Sequence, residues 1–369
     1  ATISVIIVAG ACGIAAGTPL AILGAIGRAA RGGAIIKGGL YLEQLGRVDT
    51  VVLDKTGTLT YGEPEVQSLV VAPGAVVGDV LRLMASAELR SEHPLGKTLV
   101  RYARAQGVTP VEPEAFHYTP GLGISATVNG ERILVGNEAL LRKHGIALPG
   151  EVLTQQPAAA KVWLARGEAW LGVAIVADTI RSEARSALQT MHAMGLRTVL
   201  LTGDTKAVAQ AVGAELGIDT IVADVLPDAK LAYIEQLTAG KAVVAMVGDG
   251  INDAPALMKA HVGVAMGSGT DVARESADVV LLSNDLVKFV QTLQLARRTR
   301  RIIWANFVGT VAVDLVGIAL AAAGLLNPLL AAFIHVASEM TFILNSARLL
   351  PSIDPRGATT RPPVALSEH

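Results

Sequence analysis

Val48-Asp49-Thr50-Val51-Val52-Leu53-Asp54-Lys55-Thr56-Gly57-Thr58 sets a short apolar run directly before a carboxylate and a flexible turn. Residues 48–53 read as a buried parallel strand, because a β-branched run without polar alternation suits a sheet covered on both faces. Residues 198–201, 242–247 and 262–265 repeat that pattern, and 182–194, 206–216 and 228–237 between them carry helical spacing. Together they predict a doubly wound α/β domain over 48–62 and 172–300, with its ligand site at the carboxyl ends of the strands. Residues 63–171 break the rhythm with strand and turn signals such as Val128-Asn129-Gly130-Glu131-Arg132, and are expected to form an inserted α+β domain.

An Asp at a strand end can attack a phosphorus atom and become an acyl phosphate. The pentapeptide from Asp54 to Thr58 alone also admits a reading as a polar strand-to-loop turn. Asp249-Gly250 and Asn252-Asp253, however, follow the strand at 242–247, where carboxylates can hold Mg2+ beside Asp54. Thr202-Gly203-Asp204 closes the strand at 198–201 and offers a hydroxyl and backbone amides to phosphate oxygens. Lys230 supplies a cation for the transferring group, although a lone lysine near a helix start also suits a solvated charge.

Thirty-one basic against 32 acidic residues in 369 give a formal charge of -1, which gives no reason to expect nucleic acid as a partner. Hydrophobic residues make up 51% and charged ones 17%, so part of the apolar surplus is expected in lipid. One cysteine excludes an internal disulfide framework. Residues 1–27 carry no formal charge and are followed by Arg28, Arg31 and Lys37, which predicts a transmembrane helix with a stalk to residue 47. A signal peptide would place its basic residues before the apolar run. Pro19 suggests a broken helix at a site. Between Ile302 and Ala347 only Asp314 and Glu339 are formally charged, giving spans at 302–325 and 328–350 flanked by Arg297, Arg298, Arg300, Arg301 and Arg348. These clusters fall on one side, so the chain is expected to be a multi-pass protein of the cytoplasmic (inner) membrane, its catalytic domains in the cytoplasm. Residues 351–369 read as a disordered tail.

Asp54-Lys55-Thr56-Gly57-Thr58, Thr202-Gly203-Asp204 and Met246-Val247-Gly248-Asp249-Gly250-Ile251-Asn252-Asp253-Ala254-Pro255 resemble the phosphorylation-domain motifs of P-type ATPases. The domain is similar to the haloacid dehalogenase superfamily, whose phosphatases carry an acid–base Asp where this chain has Thr56. The resemblance implies catalytic roles for Asp54, Lys55, Thr56, Thr202, Gly203, Asp204, Lys230, Asn252 and Asp253. It implies Mg2+ at Asp54, Thr56 and Asp249, and an acyl phosphate that persists long enough to be coupled to a conformational change. Ser91-Glu92-His93-Pro94-Leu95, with Gly121-Leu122-Gly123 and Val135-Gly136-Asn137, resembles the nucleotide domain of the heavy-metal class. ATP is then expected at Glu88, His93, Gly121, Gly123 and Asn137, with Asp178 and Arg181 where that family's chain returns to the phosphorylation domain.

An ionisable group within a span marks a functional site by default. His335 and Glu339 share a helix face at i, i+4, Asp314 lies mid-span, and Gly10-Ala11-Cys12 stands where the class carries its Cys-Pro-Cys motif. One thiolate, one imidazole and two carboxylates form a mixed, fairly hard set that suits a divalent transition ion better than Cu+. The expected function is ATP-driven export of a metal cation. The alternatives are a Cu+/Ag+ exporter, a membrane-anchored phosphatase disfavoured by Thr56, and a metal-binding remnant without catalysis. The first residue is Ala and no Thr-Gly-Glu actuator motif occurs, so the chain is expected to be a fragment. Its missing partner would be the N-terminal part of the same polypeptide, without which it would bind ATP but not pump.

Overall fold

The computed structural model describes residues 12–150, 159–249 and 253–351. Helix α1 (Cys12–Arg31), strand β1 (Ala34–Ile36) and α2 (Gly39–Leu45) lead into β2 (Thr50–Leu53), every residue of which is buried. A turn at Lys55–Leu59 precedes β3 (Thr60–Val71), α3 (Val77–Ala87), α4 (Pro94–Ala105), β4 (Ala115–Thr119), β5 (Gly123–Val128), β6 (Glu131–Gly136), α5 (Glu138–Lys143), β7 (Ala160–Arg166) and β8 (Ala169–Ile180). There follow α6 (Ala184–Ala193), β9 (Arg197–Leu201), α7 (Lys206–Leu216), β10 (Thr220–Val222), α8 (Pro227–Ala239), β11 (Val244–Gly248), α9 (Ala254–Lys259), β12 (Val262–Ala265), α10 (Asp271–Ser276) and β13 (Val279–Leu281). Helices α11 (Leu286–Ala322) and α12 (Pro328–Ala347) complete the described chain.

One sheet has the order β1-β13-β12-β11-β2-β9-β10 and is parallel except for the β1–β13 edge pair. Its central strands are Val- and Leu-rich because helices cover both faces. Strand β2 lies between β11 and β9, so the residues that follow these three strands emerge side by side. The second sheet, β3-β8-β7-β6-β5-β4, is antiparallel throughout. Asn129 (φ 52) and Gly130 (φ 75) turn β5 into β6, left-handed at both central positions as a tight hairpin requires. Strand β8 pairs with β3 from Gly172 to Ile180. The boundary expected at 171/172 therefore falls inside a strand, and the insert runs on to residue 180.

Helix α11 is continuous over 37 residues, about 55 Å at 1.5 Å per residue, so the division expected at 300–302 lies within one helix. Its first half packs Phe289, Val290, Leu293 and Ala296 into the core of the first sheet, and its second half packs on α1 and α12. Helices α11 and α12 are long and apolar enough to cross a membrane. Asn306 joins them, donating to Phe342 O at 3.2 Å and Ser346 Oγ at 2.9 Å and accepting from Asn345 Nδ2 at 2.8 Å. Pro19 lies inside α1, so the described part of that helix is unbroken; a missing N–H removes one helical bond, which packing on two neighbours can absorb. The tail at 352–369 lies outside the described residues.

Arg297, on α11, donates to Met194 O at 2.5 Å and Val48 O at 3.0 Å and so ties the helix to the entrance of β2. Replacing it by Met removes two charge-assisted bonds, a loss on the order of 3 kcal/mol. Arg297→Met is expected to lower the melting temperature of the phosphorylation domain measured by circular dichroism, and Arg298→Met, at an exposed position, to leave it unchanged.

Candidate active site

Asp54 follows β2, Thr202 to Asp204 follow β9, and Asp249 follows β11. With Thr56, Lys230 and Asp253 they line one cleft of about 420 Å³, its rim closed by Val225 and the exposed Leu226. Lys230, on the first turns of α8, is buried, not solvated, and its Nζ lies 2.5 Å from Asp54 Oδ1 and 2.8 Å from Asp253 Oδ1. Lys55 is also buried and pairs with Asp204 at 2.7 Å. The Thr202 hydroxyl donates to Asp204 Oδ2 at 3.1 Å and accepts from Asp204 N at 3.2 Å, which fixes the loop behind β9. Asn252 lies outside the described residues.

Burial first, and the nearby Asp253 second, push the Asp54 carboxyl up to about 7 against the pull of Lys230. Burial and Asp253 likewise raise Asp249 to about 6. Burial disfavours the Lys230 charge, but Asp54 and Asp253 hold its ammonium above the ordinary lysine range. Carboxylate oxygens of Asp54, Asp249 and Asp253 all lie within 4.8 Å of one another. Three carboxylates around one ammonium leave two negative charges, which a divalent cation balances, and the donors are the hard oxygens that Mg2+ prefers. At Gly57 (φ 72) a Cβ would stand 1.6 Å from Asp249 Oδ2, so the turn after Asp54 is shaped to seat that carboxylate. The residues fit Mg2+. Thr56 is exposed in the same cleft.

A second cleft, of about 350 Å³, is lined by Glu88, His93, Gly121, Gly123 and Asn137, as the sequence motifs lead one to expect. His93 caps α4: its Nδ1 accepts from Leu95 N at 3.2 Å, which leaves the hydrogen on Nε2. Glu88 is buried, its Oε2 has no hydrogen-bond partner, and burial raises its carboxyl to about 7, with the Ser91 hydroxyl offsetting only part of this. Gly96 makes room for it, since a Cβ there would lie 2.2 Å from Glu88 Oε2. Asn137 is occupied locally, its Oδ1 accepting from Leu140 N at 3.0 Å and its Nδ2 donating to Gly121 O at 2.7 Å; it shapes the cleft wall. Tyr118 and Lys161 also line the cleft, and no motif around them signals it.

Asp178 and Arg181, grouped by resemblance with the nucleotide site, sit elsewhere. Asp178 accepts from Thr60 Oγ1 and from Gly62 N at 3.0 Å, pinning β3 to β8 at the end next to the Lys55–Leu59 turn. Arg181 donates to Thr58 O at 3.0 Å, Gly57 O at 2.9 Å and Asn284 O at 2.8 Å, and stacks 5.0 Å from the Tyr61 ring. Its role is to brace the Asp54 turn, because the antiparallel pair delivers it to the first sheet and not to the second cleft. Asp314, His335 and Glu339 are half-buried on α11 and α12. Among the described residues the one group of three potential ligands within 4.8 Å is Asp54, Asp249 and Asp253; Asp314, His335 and Glu339 do not form another. The side chain of Cys12 lies outside the description.

Residues 48–261 match the family of haloacid dehalogenase-like hydrolases, the class that the parallel sheet and its carboxylate cluster define. Over 354 residues the chain is 40% identical to a copper-exporting P-type ATPase of Staphylococcus aureus strain JH9, covering 95% of this chain and 44% of that protein. A solved zinc-transporting PIB-type ATPase in its E2.Pi state superposes with a TM-score of 0.83 at 37% identity, over 92% of this chain and 56% of the other. The catalytic CPx-ATPase domain CopB-B matches at 30% identity and a TM-score of 0.54, over 73% of this chain and 96% of that domain. The chain belongs to the heavy-metal class of P-type ATPases, and spans less than half the length of the curated relatives it matches.

The raised Glu88 carboxyl fixes the sign of a pH effect. Its folded pKa, about 7, exceeds the unfolded 4.5, so stability is complete below about 4.5 and is lost as pH rises through 7. Glu88→Gln removes that loss, on the order of 3 kcal/mol. Its melting temperature is expected to exceed that of the unsubstituted chain at pH 8 and to converge with it near pH 5.

Proposed function

We propose that the chain is the catalytic and membrane-coupling part of an ATP-driven exporter of a divalent transition-metal ion, working through an aspartyl phosphate at Asp54. The observation that supports this most is Asp54 itself, held beside Lys230, Asp249 and Asp253 where the central strands of the sheet end. Its carboxylate attacks the γ-phosphorus of ATP. The new O–P bond forms as the bond to the β–γ bridging oxygen breaks, and ADP leaves with that oxygen. Lys230 offsets the charge gathered there, and the Thr202 hydroxyl and Gly203 backbone face the phosphate oxygens. Asp54, Asp249 and Asp253, with Thr56 beside them, would hold Mg2+, which when bound neutralises phosphate charge.

The nucleoside lies in the second cleft, where the His93 Nε2–H and a protonated Glu88 offer donors and Gly121 and Gly123 allow close approach. Thr56 cannot act as a base, so water attacks the acyl phosphate only after a rearrangement; it then releases inorganic phosphate and restores Asp54. Helix α11 links this chemistry to the membrane, where Cys12, Asp314, His335 and Glu339 are the residues proposed to carry the ion. The phosphorylation domain would lie in the cytoplasm, below an inner membrane. The copper-exporting relatives favour a second reading, a Cu+ exporter, and the zinc-transporting neighbour favours the first.

ATPase activity of the full-length protein is expected to rise with Zn2+, Cd2+, Co2+, Ni2+, Fe2+ or Mn2+ and to lose that response in both Asp54→Asn and His335→Ala. Stimulation by Cu+ that survives His335→Ala would keep the ATPase and replace the divalent cargo.

A further inference from the structure

The segment joining α2 to β2 faces α11 across a cleft of about 560 Å³, away from both sites described above. Arg47, Arg297, Arg300 and Arg301 line it, against one carboxylate, Asp49. That carboxylate is turned to the chain, accepting from Val243 N at 3.1 Å and from Thr50 Oγ1 at 2.8 Å. Arg297 is directed at neutral carbonyls, and Arg47 pairs with Glu43 at 2.5 Å. Among the described residues no carboxylate pairs with Arg300 or Arg301, and both are exposed. Gly46, where a Cβ would stand 2.9 Å from Ala296 O, holds the loop close against α11 and so shapes the floor.

The cleft runs on into a smaller, mostly apolar groove of about 100 Å³ walled by Ile22, Leu42 and Ile303 and lined also by Thr18, Thr299 and Glu43, the partner of Arg47; Arg300 and Trp304 line both. Immediately beyond, α11 exposes Phe307 and Val308 on the stretch expected to enter lipid. A cationic pocket opening onto an apolar slot at the start of a span matches a molecule with an anionic head and a hydrocarbon tail. A free phosphate shares the head chemistry but would leave the slot unfilled.

We infer that this cleft binds an anionic phospholipid of the leaflet on the arginine side, its phosphate held by Arg300 and Arg301 and an acyl chain lying along Ile22, Ile303 and Trp304. The guanidinium fork suits phosphate oxygens in bidentate geometry. The site is independent of which ion the protein moves.

Trp304 makes the site observable, because Trp163 and Trp170 lie in the second sheet, on β7 and β8. The chain is reconstituted in phosphatidylcholine vesicles containing brominated phosphatidylglycerol or, at equal mole fraction, brominated phosphatidylcholine. The emission lost in Trp304→Phe is followed as the Trp304 signal. Quenching by the anionic lipid is expected to saturate at low mole fraction, and quenching by the neutral lipid to rise only in proportion to its abundance. Arg300→Gln with Arg301→Gln should raise the half-quenching fraction roughly thirtyfold. Arg28→Gln with Arg298→Gln removes the same charge outside the cleft and should leave it unchanged. Equal quenching by the two lipids, or an unaltered preference in the first double variant, would overturn the assignment. Competition by inorganic phosphate would mark a soluble-phosphate site and overturn the lipid.

Discussion

Two buried carboxylates, Asp54 and Asp253, share one ammonium, Lys230, and a third, Asp249, stands within reach of both. Like charges so close in a buried site repel, and the Lys230 ammonium built between them offsets that repulsion. Everything else in the first sheet serves that gathering. Strand order brings the ends of β2, β9 and β11 together, the left-handed Gly57 clears space for Asp249, and Arg181 braces the turn from behind. The charge left over is also what fits the cleft to a divalent cation.

The two sheets divide the work. The first holds Asp54, the proposed nucleophile; the second, hung on β3 and β8, holds the cleft proposed for the nucleotide. Asp178 ties those strands at their base through Thr60 and Gly62, so the connection between the sheets is narrow and defined. On the opposite side α11 passes from the core of the first sheet into the membrane helices without interruption. One continuous helix therefore connects the core of the first sheet to Asn306 and to the contacts with α1 and α12.

Much of this was legible from residue order alone. Strands β2, β9, β11 and β12 announced themselves as short apolar runs, and the first three were followed by the polar clusters that strand ends present. The short strands β1, β10 and β13 were not, because each has only three residues and no period to detect. The buried state of Lys230 was invisible, since nothing local separates a solvated lysine from one folded over two acids. Asn137 and Arg181 were read by motif neighbourhood, whereas their hydrogen bonds commit one to a helix cap and the other to carbonyls of the Asp54 turn. Tyr118 and Lys161 reach the second cleft only through sheet pairing. In the membrane, i, i+4 spacing correctly put His335 and Glu339 on one helix but carried no information on how α12 is rotated against α11.

The central claim is that Asp54 becomes covalently phosphorylated. Incubating this chain with Mg2+ and γ-labelled ATP, quenching in acid and mapping the label tests it most directly. The account predicts an acid-stable, hydroxylamine-labile label on the peptide containing Asp54, absent in Asp54→Asn. Hydrolysis of ATP with no label at Asp54, or labelling that persists in Asp54→Asn, would contradict it.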